Sequence, residues 1–315
     1  MRYPFVTKSR QYLSAYKGVY SNGTYAELER RIPKIGRHIT YLKENGRIST
    51  TNPGLMTPED IREYVKLRRE QGLKPSSIAH DVGTLGSICR YSGNDCLAVA
   101  RIRYPTLFPR RTVTRLPIVE RPEFEHIVRV AERLDEGTEY KVMRAFAVSL
   151  FSFGTGSRTQ EMQHAKLHNL SDDLTTIHFA HVKGSNTYGE PRTAPIRPEV
   201  RPFISRYLKV REPSESPFLF PNPEGDYLST NILTRDRGIV TRMTSVDFDY
   251  RKCRRTYAQY LIDEGLPVEH ASVLLGHKNT KTTEKSYARP RDDRIIASVV
   301  SQWRKLDDDR ITEES

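Results

Sequence analysis

The sequence predicts a two-domain, mainly α protein (α+β class), in which an all-helical N-terminal module precedes a mostly helical domain with a small antiparallel β-sheet. Three observations support this prediction. The chain has 315 residues, enough for two domains of roughly 100–200 residues that each bury a core. Apolar residues recur at helical spacing through most of the sequence. Only two short stretches, on either side of a turn-rich segment, have the composition of strands.

Helical signals dominate residues 1–100. Residues 24–47 carry apolar side chains at helical spacing among basic ones. Residues 57–60 (TPED) combine an N-cap threonine, a proline at the first helical position and acids in the first turn, and the helix they open should end near Gly72. Residues 74–91 favour another helix. We therefore expect an all-helical module of roughly four short helices.

The segment after this module is strongly basic. Residues 101–115 (RIRYPTLFPRRTVTR) contain five arginines, two prolines and no acid, without helical periodicity. This composition predicts an extended basic linker over residues 101–117. An ordinary surface loop is the alternative, but the charge favours contact with a polyanion. The arginines expected to bind DNA are Arg101, Arg103, Arg110, Arg111 and Arg115.

The remainder of the chain alternates helical segments with one small β element. Residues 174–182 and 192–196 favour strands, and the turn-rich segment 184–189 lies between them. An acidic tail covers residues 307–315. The helices expected in this part are 122–133, 140–151, 200–210, 230–241, 251–264, 268–275 and 294–305.

The charge is concentrated in one part of the sequence. The whole chain has 51 Lys+Arg and 39 Asp+Glu, a net charge of +12. Residues 1–115 hold 21 basic and 9 acidic side chains, whereas the remaining 200 residues are neutral overall. A basic N-terminal third indicates a nucleic-acid partner, because phosphate contacts supply most non-specific affinity. A well-charged soluble surface is the alternative.

Composition also excludes several classes of protein. No apolar run approaches the ~20 residues of a membrane span, and residues 1–5 (MRYPF) lack the apolar region of a signal peptide. The three cysteines have no metal-type spacing and no even count for a disulfide framework. We therefore expect no membrane partner, no metal site and a cytoplasmic location.

Residues 154–161 (GTGSRTQE) place an arginine at a helix start. The two glycines favour a turn, and Ser157 with Gln160 three residues later matches a capping box. Arg158 would then lie in the first turn, where backbone N–H groups and the helix dipole favour an anion. Glu161 is placed to hold its guanidinium. An exposed Arg–Glu surface pair would give the same pattern.

Residues 250–257 (YRKCRRTY) form a second, basic segment. Arg251 and Arg254 are three residues apart on a helix, so both could bind oxygens of one phosphate. Arginine suits this role because its planar guanidinium binds two oxygens at once and stays charged. A solvated basic helix face is the alternative.

Residues 274–287 (LLGHKNTKTTEKSY) form the third segment. His277 follows a glycine at an expected helix end, and Tyr287 comes ten residues later in a basic setting. Taken alone, such a histidine is more often structural, and the chain contains 17 tyrosines.

The three segments together, in this order, resemble the catalytic signature of the tyrosine recombinases, the phage integrase family. Arg158 resembles the first catalytic arginine of that family, and Glu161 the acid beside it. Lys183, in HVKG, resembles the β-hairpin lysine, with residues 192–196 as the returning strand. Arg254 resembles the second arginine.

The third segment completes the resemblance. His277 resembles the histidine of the family's third block and Tyr287 its nucleophile. The matched region covers about residues 118–290, and the helical N-terminal module resembles the family's core-binding domain. The implied domains are a DNA-binding core-binding domain at 1–100, a linker at 101–117, a catalytic domain at 118–306 and a tail at 307–315.

The sequence departs from the family pattern at two places. Arg251 stands where the family usually has a histidine, three residues before the second arginine. Arginine can stabilise charge there but cannot move a proton, so activity is expected without a general base at this position. Tyr287 lies ten residues after His277 instead of the usual nine, which leaves Ser286 at the usual distance. We assign Tyr287, because serine lacks an acidic phenol.

The resemblance implies site-specific DNA strand exchange through a covalent 3′-phosphotyrosyl intermediate. One phosphate ester replaces another of similar energy, so no cofactor is expected. The implied roles are attack by Tyr287, transition-state stabilisation by Arg158, Arg251 and Arg254, a hydrogen bond from His277, and general acid catalysis by Lys183.

The resemblance also implies the partners. The substrate is double-stranded DNA, and exchange between two duplexes needs four strand cuts, hence a homo-tetramer assembled on DNA from free monomers. An apolar stripe on the last expected helix, 294–305, could dock on a neighbouring protomer or pack on its own domain. Integration or excision of a virus or mobile element is the expected role.

Two other functions are compatible with these residues. A type IB topoisomerase shares the arginines and the nucleophilic tyrosine. A catalytically impaired, site-specific DNA-binding protein would explain the missing histidine and the displaced tyrosine. An RNA-binding protein is disfavoured, because the sequence lacks an aromatic RNA-binding pattern.

Overall fold

The computed structural model describes residues 4–108, 116–135, 137–180 and 190–276. The chain divides into two units, Met1–Val113 and Thr114–Ser315. The assignment of DNA binding to the first unit and of catalysis to the second stays a prediction. Two predicted elements, the turn at 184–189 and the helix at 294–305, lie outside the described residues.

The described part of the first unit is entirely helical. It contains five helices where the sequence predicts about four, because a short helix at each end has little periodicity of its own. They are α1 Pro4–Ala15, α2 Asn22–Glu44, α3 Pro58–Glu70, α4 Pro75–Tyr91 and α5 Cys96–Arg103.

Local signals in the sequence account for these helices. The apolar face of α2 buries Ile35, Ile39 and Leu42 completely, as the periodicity predicts. At the start of α3, the Thr57 hydroxyl accepts a hydrogen bond from the Asp60 N–H (3.2 Å), and the Asp60 carboxylate accepts one from the Thr57 N–H (2.8 Å). This reciprocal capping confirms the predicted helix start.

The expected linker is not extended at its beginning. Residues 101–103 belong to α5, which is held in place by the burial of Leu97 and Ala100 on one face. The prediction of an extended segment from residue 101 was therefore wrong for its first turn, where the arginines obscured the apolar spacing. Residues 109–115 lie outside the described residues.

The second unit combines seven helices and two strands within the residues that the structure describes. Two short 3₁₀ turns, Leu167–Asn169 and Pro198–Val200, connect some of them. The elements are α6 Arg121–Glu132, α7 Tyr140–Thr155, α8 Thr159–Gln163, β1 Thr176–Phe179, β2 Arg192–Pro195, α9 Arg201–Val210, α10 Thr230–Thr244, α11 Tyr250–Asp263 and α12 Val268–Leu274.

Helix α7 is the centre of this unit. Every residue from Met143 to Thr155 is buried, and α9, α10 and α11 pack around it. A helix that is apolar on all sides is stable only when it is covered on all sides. Because α7 leads directly into residues 156–161, its burial fixes the position of the following segment.

The β-sheet contains two antiparallel strands, with Thr176 opposite Pro195 and Phe179 opposite Arg192. This confirms the small sheet and the mainly helical fold class. The first strand begins later than predicted, because Leu174 has a left-handed backbone (φ 56°) and closes a turn onto Ser171. Among the helices of the described residues, none is long and apolar enough to cross a membrane.

The pairing of α7 with α10 can be tested at its buried ion pair. Arg144 donates to both carboxylate oxygens of Asp236, at 2.9 and 3.0 Å, and both side chains are buried. Arg144→Ala leaves the aspartate charge buried without its partner, so the free energy of unfolding should fall by about 3–5 kcal/mol. Urea unfolding measures this loss.

The double variant Arg144→Met with Asp236→Leu is the control, because it removes both charges and fills their space. It should recover most of the lost stability. A loss below about 1 kcal/mol in the single variant would contradict the assigned role of the pair.

Candidate active site

A single buried carboxylate gathers three arginines in the second unit. Glu161 is 1% exposed. Its Oε1 accepts from Nη1 of Arg158 at 2.5 Å, and its Oε2 accepts from Nη2 of Arg192 at 2.8 Å. Nη1 of Arg254 lies 3.8 Å from the same Oε2. We call these four residues the arginine cluster; three cations and one anion give it a net charge of +2.

The electrostatics of the arginine cluster keep Glu161 ionised. Burial alone would raise the pKa of Glu161. The charge and hydrogen bond of Arg192, the backbone N–H of Arg158 and the charge of Arg254 outweigh burial and hold that pKa at about 2. At neutral pH the carboxylate therefore stays negative and orders the guanidinium groups around it.

The arginine cluster also holds the end of α12. The carbonyl of Leu274 accepts from Arg192, and the carbonyl of Leu275 accepts from Arg254. The Gly276 carbonyl accepts from Nη2 of Arg158 at 2.8 Å. Carbonyls at the end of a helix lack partners within it and carry partial negative charge, so guanidinium groups are suitable caps.

Two glycines make this close approach possible. Gly156 ends α7 with a left-handed backbone (φ 59°), and its carbonyl accepts from Nη1 of Arg254 at 2.7 Å. A Cβ at Gly156 would lie 2.5 Å from the ring of Tyr257. At Gly276 (φ 63°), a Cβ would lie 2.9 Å from Cδ of Arg192. Any side chain at either position would displace the segments that carry the arginines.

The capping of α8 differs from the sequence prediction. Arg158, rather than Ser157, is the N-cap residue, and its backbone N–H donates to Oε2 of Glu161 at 2.9 Å. The predicted Ser157–Gln160 capping box was therefore wrong. The ionised Glu161 makes a stronger hydrogen bond to the N-terminal backbone than the Gln160 amide would. The expected pairing of Glu161 with the guanidinium of Arg158 is present.

Arg251 lies outside the arginine cluster. It is exposed on α11, one turn before Arg254, and within the described residues its side chain makes no hydrogen bond or ion pair. Arg254 by contrast is buried. The structure therefore brings together Arg158, Glu161 and Arg254 among the predicted site residues, and leaves Arg251 at the surface.

The other predicted site residues divide into two groups. Arg101 and Arg103 are exposed on α5, where Arg101 lies over the ring of Phe108 and Arg103 forms an ion pair with Glu59 at 3.0 Å. The remainder lie outside the described residues: Lys183, His277, Tyr287, Ser286, Arg110, Arg111 and Arg115.

Arg192 is the member of the arginine cluster that the sequence analysis missed as a site residue. The sequence pattern places it only in the returning strand. Its position opposite Phe179 in the sheet, with the guanidinium 4.8 Å from the Phe179 ring centre, directs it toward Glu161. An arginine at the start of a strand that is otherwise apolar on its inner face was the one available signal.

The fold and the arginine cluster define a class of protein with a basic, anion-attracting site on a mainly helical domain. The model of the phage integrase family matches residues 119–294, more than half of the chain. The chain therefore belongs to the phage integrase family and is a tyrosine site-specific recombinase.

Individual relatives agree with this assignment. Tyrosine recombinase XerC of Staphylococcus carnosus is 25% identical over 236 residues, which cover 71% of this chain and 75% of that protein. Tyrosine recombinase XerA of Pyrococcus horikoshii is 25% identical over 267 residues, which cover 83% and 85%. The solved Tn1549 transposon integrase, in complex with circular intermediate DNA, superposes with a TM-score of 0.67 at 16% identity. That match covers 94% of this chain and 99% of the integrase chain, and it shows a shared fold.

The charge of Glu161 should stabilise the fold in a defined pH range. Its pKa falls from about 4.3 in an unfolded chain to about 2 in the folded one. This depression contributes stability above pH ~4.3 that is lost as the pH falls toward 2, about 3 kcal/mol at pH 7 and roughly half of that at pH 3. Glu161→Gln should therefore be less stable than wild type by a margin that shrinks between these two pH values.

Urea unfolding at pH 7 and pH 3 provides the measurement. Glu120→Gln, which alters a carboxylate at another helix start in the same unit, serves as the control. A margin for Glu161→Gln that is equal at both pH values would show that its shape, rather than its charge, stabilises the site.

Proposed function

We propose that this recombinase exchanges DNA strands by transesterification at phosphorus, with Tyr287 as the nucleophile. The phenol oxygen bonds to the scissile phosphorus while the bond to the 5′-oxygen breaks. This leaves a 3′-phosphotyrosyl ester and a free 5′-hydroxyl, and the phenol proton is lost to solvent or to a neighbouring base. The 5′-hydroxyl of a partner strand then attacks the ester and releases the tyrosine. Each step exchanges one ester for another of similar energy.

The net charge of +2 in the arginine cluster is the observation that carries this proposal. A phosphorane-like transition state holds more negative charge than the substrate, so fixed cations stabilise it preferentially. The side chain of Arg158 is 29% exposed and can contact a phosphate. Arg254 is buried, where less water screens its charge and its effect on the site is larger.

Magnitudes explain why several cations are needed. A free tyrosine has a pKa near 10, so forming the phenolate at pH 7 costs about 4 kcal/mol. A hydrogen bond to a charged group contributes about 1.5–3 kcal/mol, so one arginine would not suffice. Two or three acting together would offset this cost and stabilise the transferring phosphate as well.

Chain connectivity supports the roles proposed for two further residues. Lys183 lies in the connection between β1 and β2, and β2 begins with Arg192 of the arginine cluster. His277 directly follows Gly276, whose carbonyl is bound by Arg158. We assign protonation of the leaving 5′-oxygen to Lys183 and a hydrogen bond to a non-bridging oxygen to His277. Arg251, exposed one turn from Arg254, would add a phosphate contact when DNA binds.

The biological role follows from the substrate. We propose that the first unit and the basic segment 101–115 bind the duplex around the cut site, with phosphate contacts that add affinity without reading sequence. The arginines of this segment are Arg101, Arg103, Arg110, Arg111 and Arg115. We further propose integration or excision of a mobile element, in the cytoplasm where that DNA is accessible. The comparisons name recombinases and integrases, so the topoisomerase and the impaired binding protein are not favoured.

A covalent adduct tests the proposed chemistry. The substrate is a pool of randomised duplexes, from which the protein selects its target site. Each duplex carries a nick beside the cut site, so that the short released strand diffuses away and the covalent intermediate is trapped. Wild type should give a DNA adduct that survives denaturation, and mass spectrometry should place the nucleotide on Tyr287. Arg158→Ala should form no adduct while its affinity for the selected site changes little, because one lost cation removes transition-state stabilisation more than binding.

Tyr287→Phe and Ser286→Ala are the matched controls. The first should bind without forming an adduct, and the second should react like wild type. An adduct formed by Tyr287→Phe would show that another residue is the nucleophile. Binding by wild type without any adduct would favour a non-catalytic DNA-binding protein, and undiminished cleavage by Arg158→Ala would remove Arg158 from the catalytic machinery.

Four protomers on DNA are the proposed working assembly, and the apolar stripe of residues 295–303 is the proposed contact between them. Deleting residues 291–315 should therefore weaken assembly on a two-site duplex more than binding to a single site. Light scattering and gel-shift titration on the two duplexes measure this difference. An equal loss on both would indicate that the stripe packs on its own domain.

A further inference from the structure

We propose that Arg192 is a positioning residue of the recombination reaction, holding Glu161 and the end of α12 so that Arg158 and Arg254 remain directed at the phosphate. This inference rests on the proposed function. It gives the buried start of β2 a role in catalysis in addition to its role in the sheet.

The surroundings of Arg192 point to an indirect role, because the Phe179 ring lies on one side of its guanidinium and the carboxylate of Glu161 on the other. Its side chain is 6% exposed, against 29% for Arg158. A phosphate at the open side of the arginine cluster therefore meets Arg158 first. Arg192 acts through its neighbours.

The first of these neighbours is Glu161. Its Oε2 accepts from Arg192 at 2.8 Å, whereas Arg254 lies 3.8 Å away, beyond hydrogen-bond distance. Arg192 thus occupies the oxygen that would otherwise attract Arg254. Because Glu161 is satisfied by a residue that does not face the phosphate, Arg254 donates to Gly156 and Leu275 instead.

The second neighbour is the end of α12. Arg192, Arg254 and Arg158 bind the consecutive carbonyls of residues 274, 275 and 276. The next residue in the chain is His277. Arg192 holds the first of these carbonyls and so fixes where the chain leaves α12 toward the proposed catalytic histidine.

The third connection is to the β-hairpin. Arg192 pairs with Phe179 at the end of the sheet from which the connection containing Lys183 departs. One buried guanidinium therefore contacts three elements: the start of α8 through Glu161, the strand β1 through Phe179, and the end of α12 through Leu274.

The experiment compares Arg192→Ala and Arg192→Lys with a matched control, Arg197→Ala. Arg197 is about as buried as Arg192 (side chains 8% and 6% exposed) and also makes ion pairs, but with Glu199 and Glu264 instead of Glu161. Each variant is assayed on the selected nicked duplex for its affinity, its initial rate of adduct formation and its urea midpoint. Wild type and Tyr287→Phe are run beside them.

Arg192→Ala should form adduct about 10- to 100-fold more slowly with little change in affinity, which is the usual effect of removing a partner that orients a reactive group without touching the substrate. Arg192→Lys should react faster than Arg192→Ala, because the lysine keeps the positive charge. It should react more slowly than wild type, because a single ammonium group cannot bridge Glu161 and Leu274 as the planar guanidinium does. Arg197→Ala should lower the urea midpoint, but its folded molecules should form adduct at the wild-type rate.

The pH dependence of the rate of adduct formation distinguishes a positioning role from a purely structural one. Glu161 faces Arg158 on its own segment, Arg192 from β2 and Arg254 from α11. Without Arg192 its carboxylate loses its largest favourable contact and should take up a proton at a higher pH. The ratio of the Arg192→Ala rate to the wild-type rate should then fall further between pH 7 and pH 5.

The outcomes separate this inference from the proposed function. If wild type itself forms no adduct, the proposed function fails. If wild type reacts and Arg192→Ala reacts at the same rate, or if Arg197→Ala slows adduct formation as much, Arg192 has no positioning role. A constant rate ratio across pH would also contradict action through Glu161.

Discussion

The arrangement of the second unit depends on one buried carboxylate. Glu161 has no exposure to solvent that could stabilise its charge, so it must be surrounded by donors. The chain supplies them from a helix start, a strand and another helix: Arg158, Arg192 and Arg254. Because a buried charge tolerates no missing partner, this requirement fixes the relative positions of segments that are up to about a hundred residues apart in the sequence.

The same arrangement concentrates positive charge. One carboxylate cannot neutralise three guanidinium groups, so an excess positive charge remains. This charge is held in place before any substrate binds. A site preorganised in this way does not have to reorganise as negative charge develops on a phosphate. The three carbonyls at the end of α12 occupy some of the guanidinium donors, and this holds residues 274–276 against the arginine cluster.

Much of the fold could be predicted from local patterns, while the full site could not. Apolar periodicity located α2, α7 and α11, because helices here bury one face or all of their surface. The resemblance to tyrosine recombinases identified Arg158 and Arg254, but the role of Arg192 depends on the strand pairing that opposes it to Phe179. Local rules failed where a stronger interaction competed: Glu161 displaced the expected Ser157–Gln160 cap, and burial of Leu97 extended α5 into the basic segment.

The most direct test of this account is a crystal structure of the protein on its selected DNA site, with vanadate in place of the scissile phosphate. The account predicts vanadate oxygens within hydrogen-bond distance of the Arg158 guanidinium, with Arg254 beside it and Arg192 still on the far side of Glu161. The vanadium should be bonded to a tyrosine oxygen. Vanadate bound away from Glu161, or an arginine cluster that separates when DNA binds, would contradict the account.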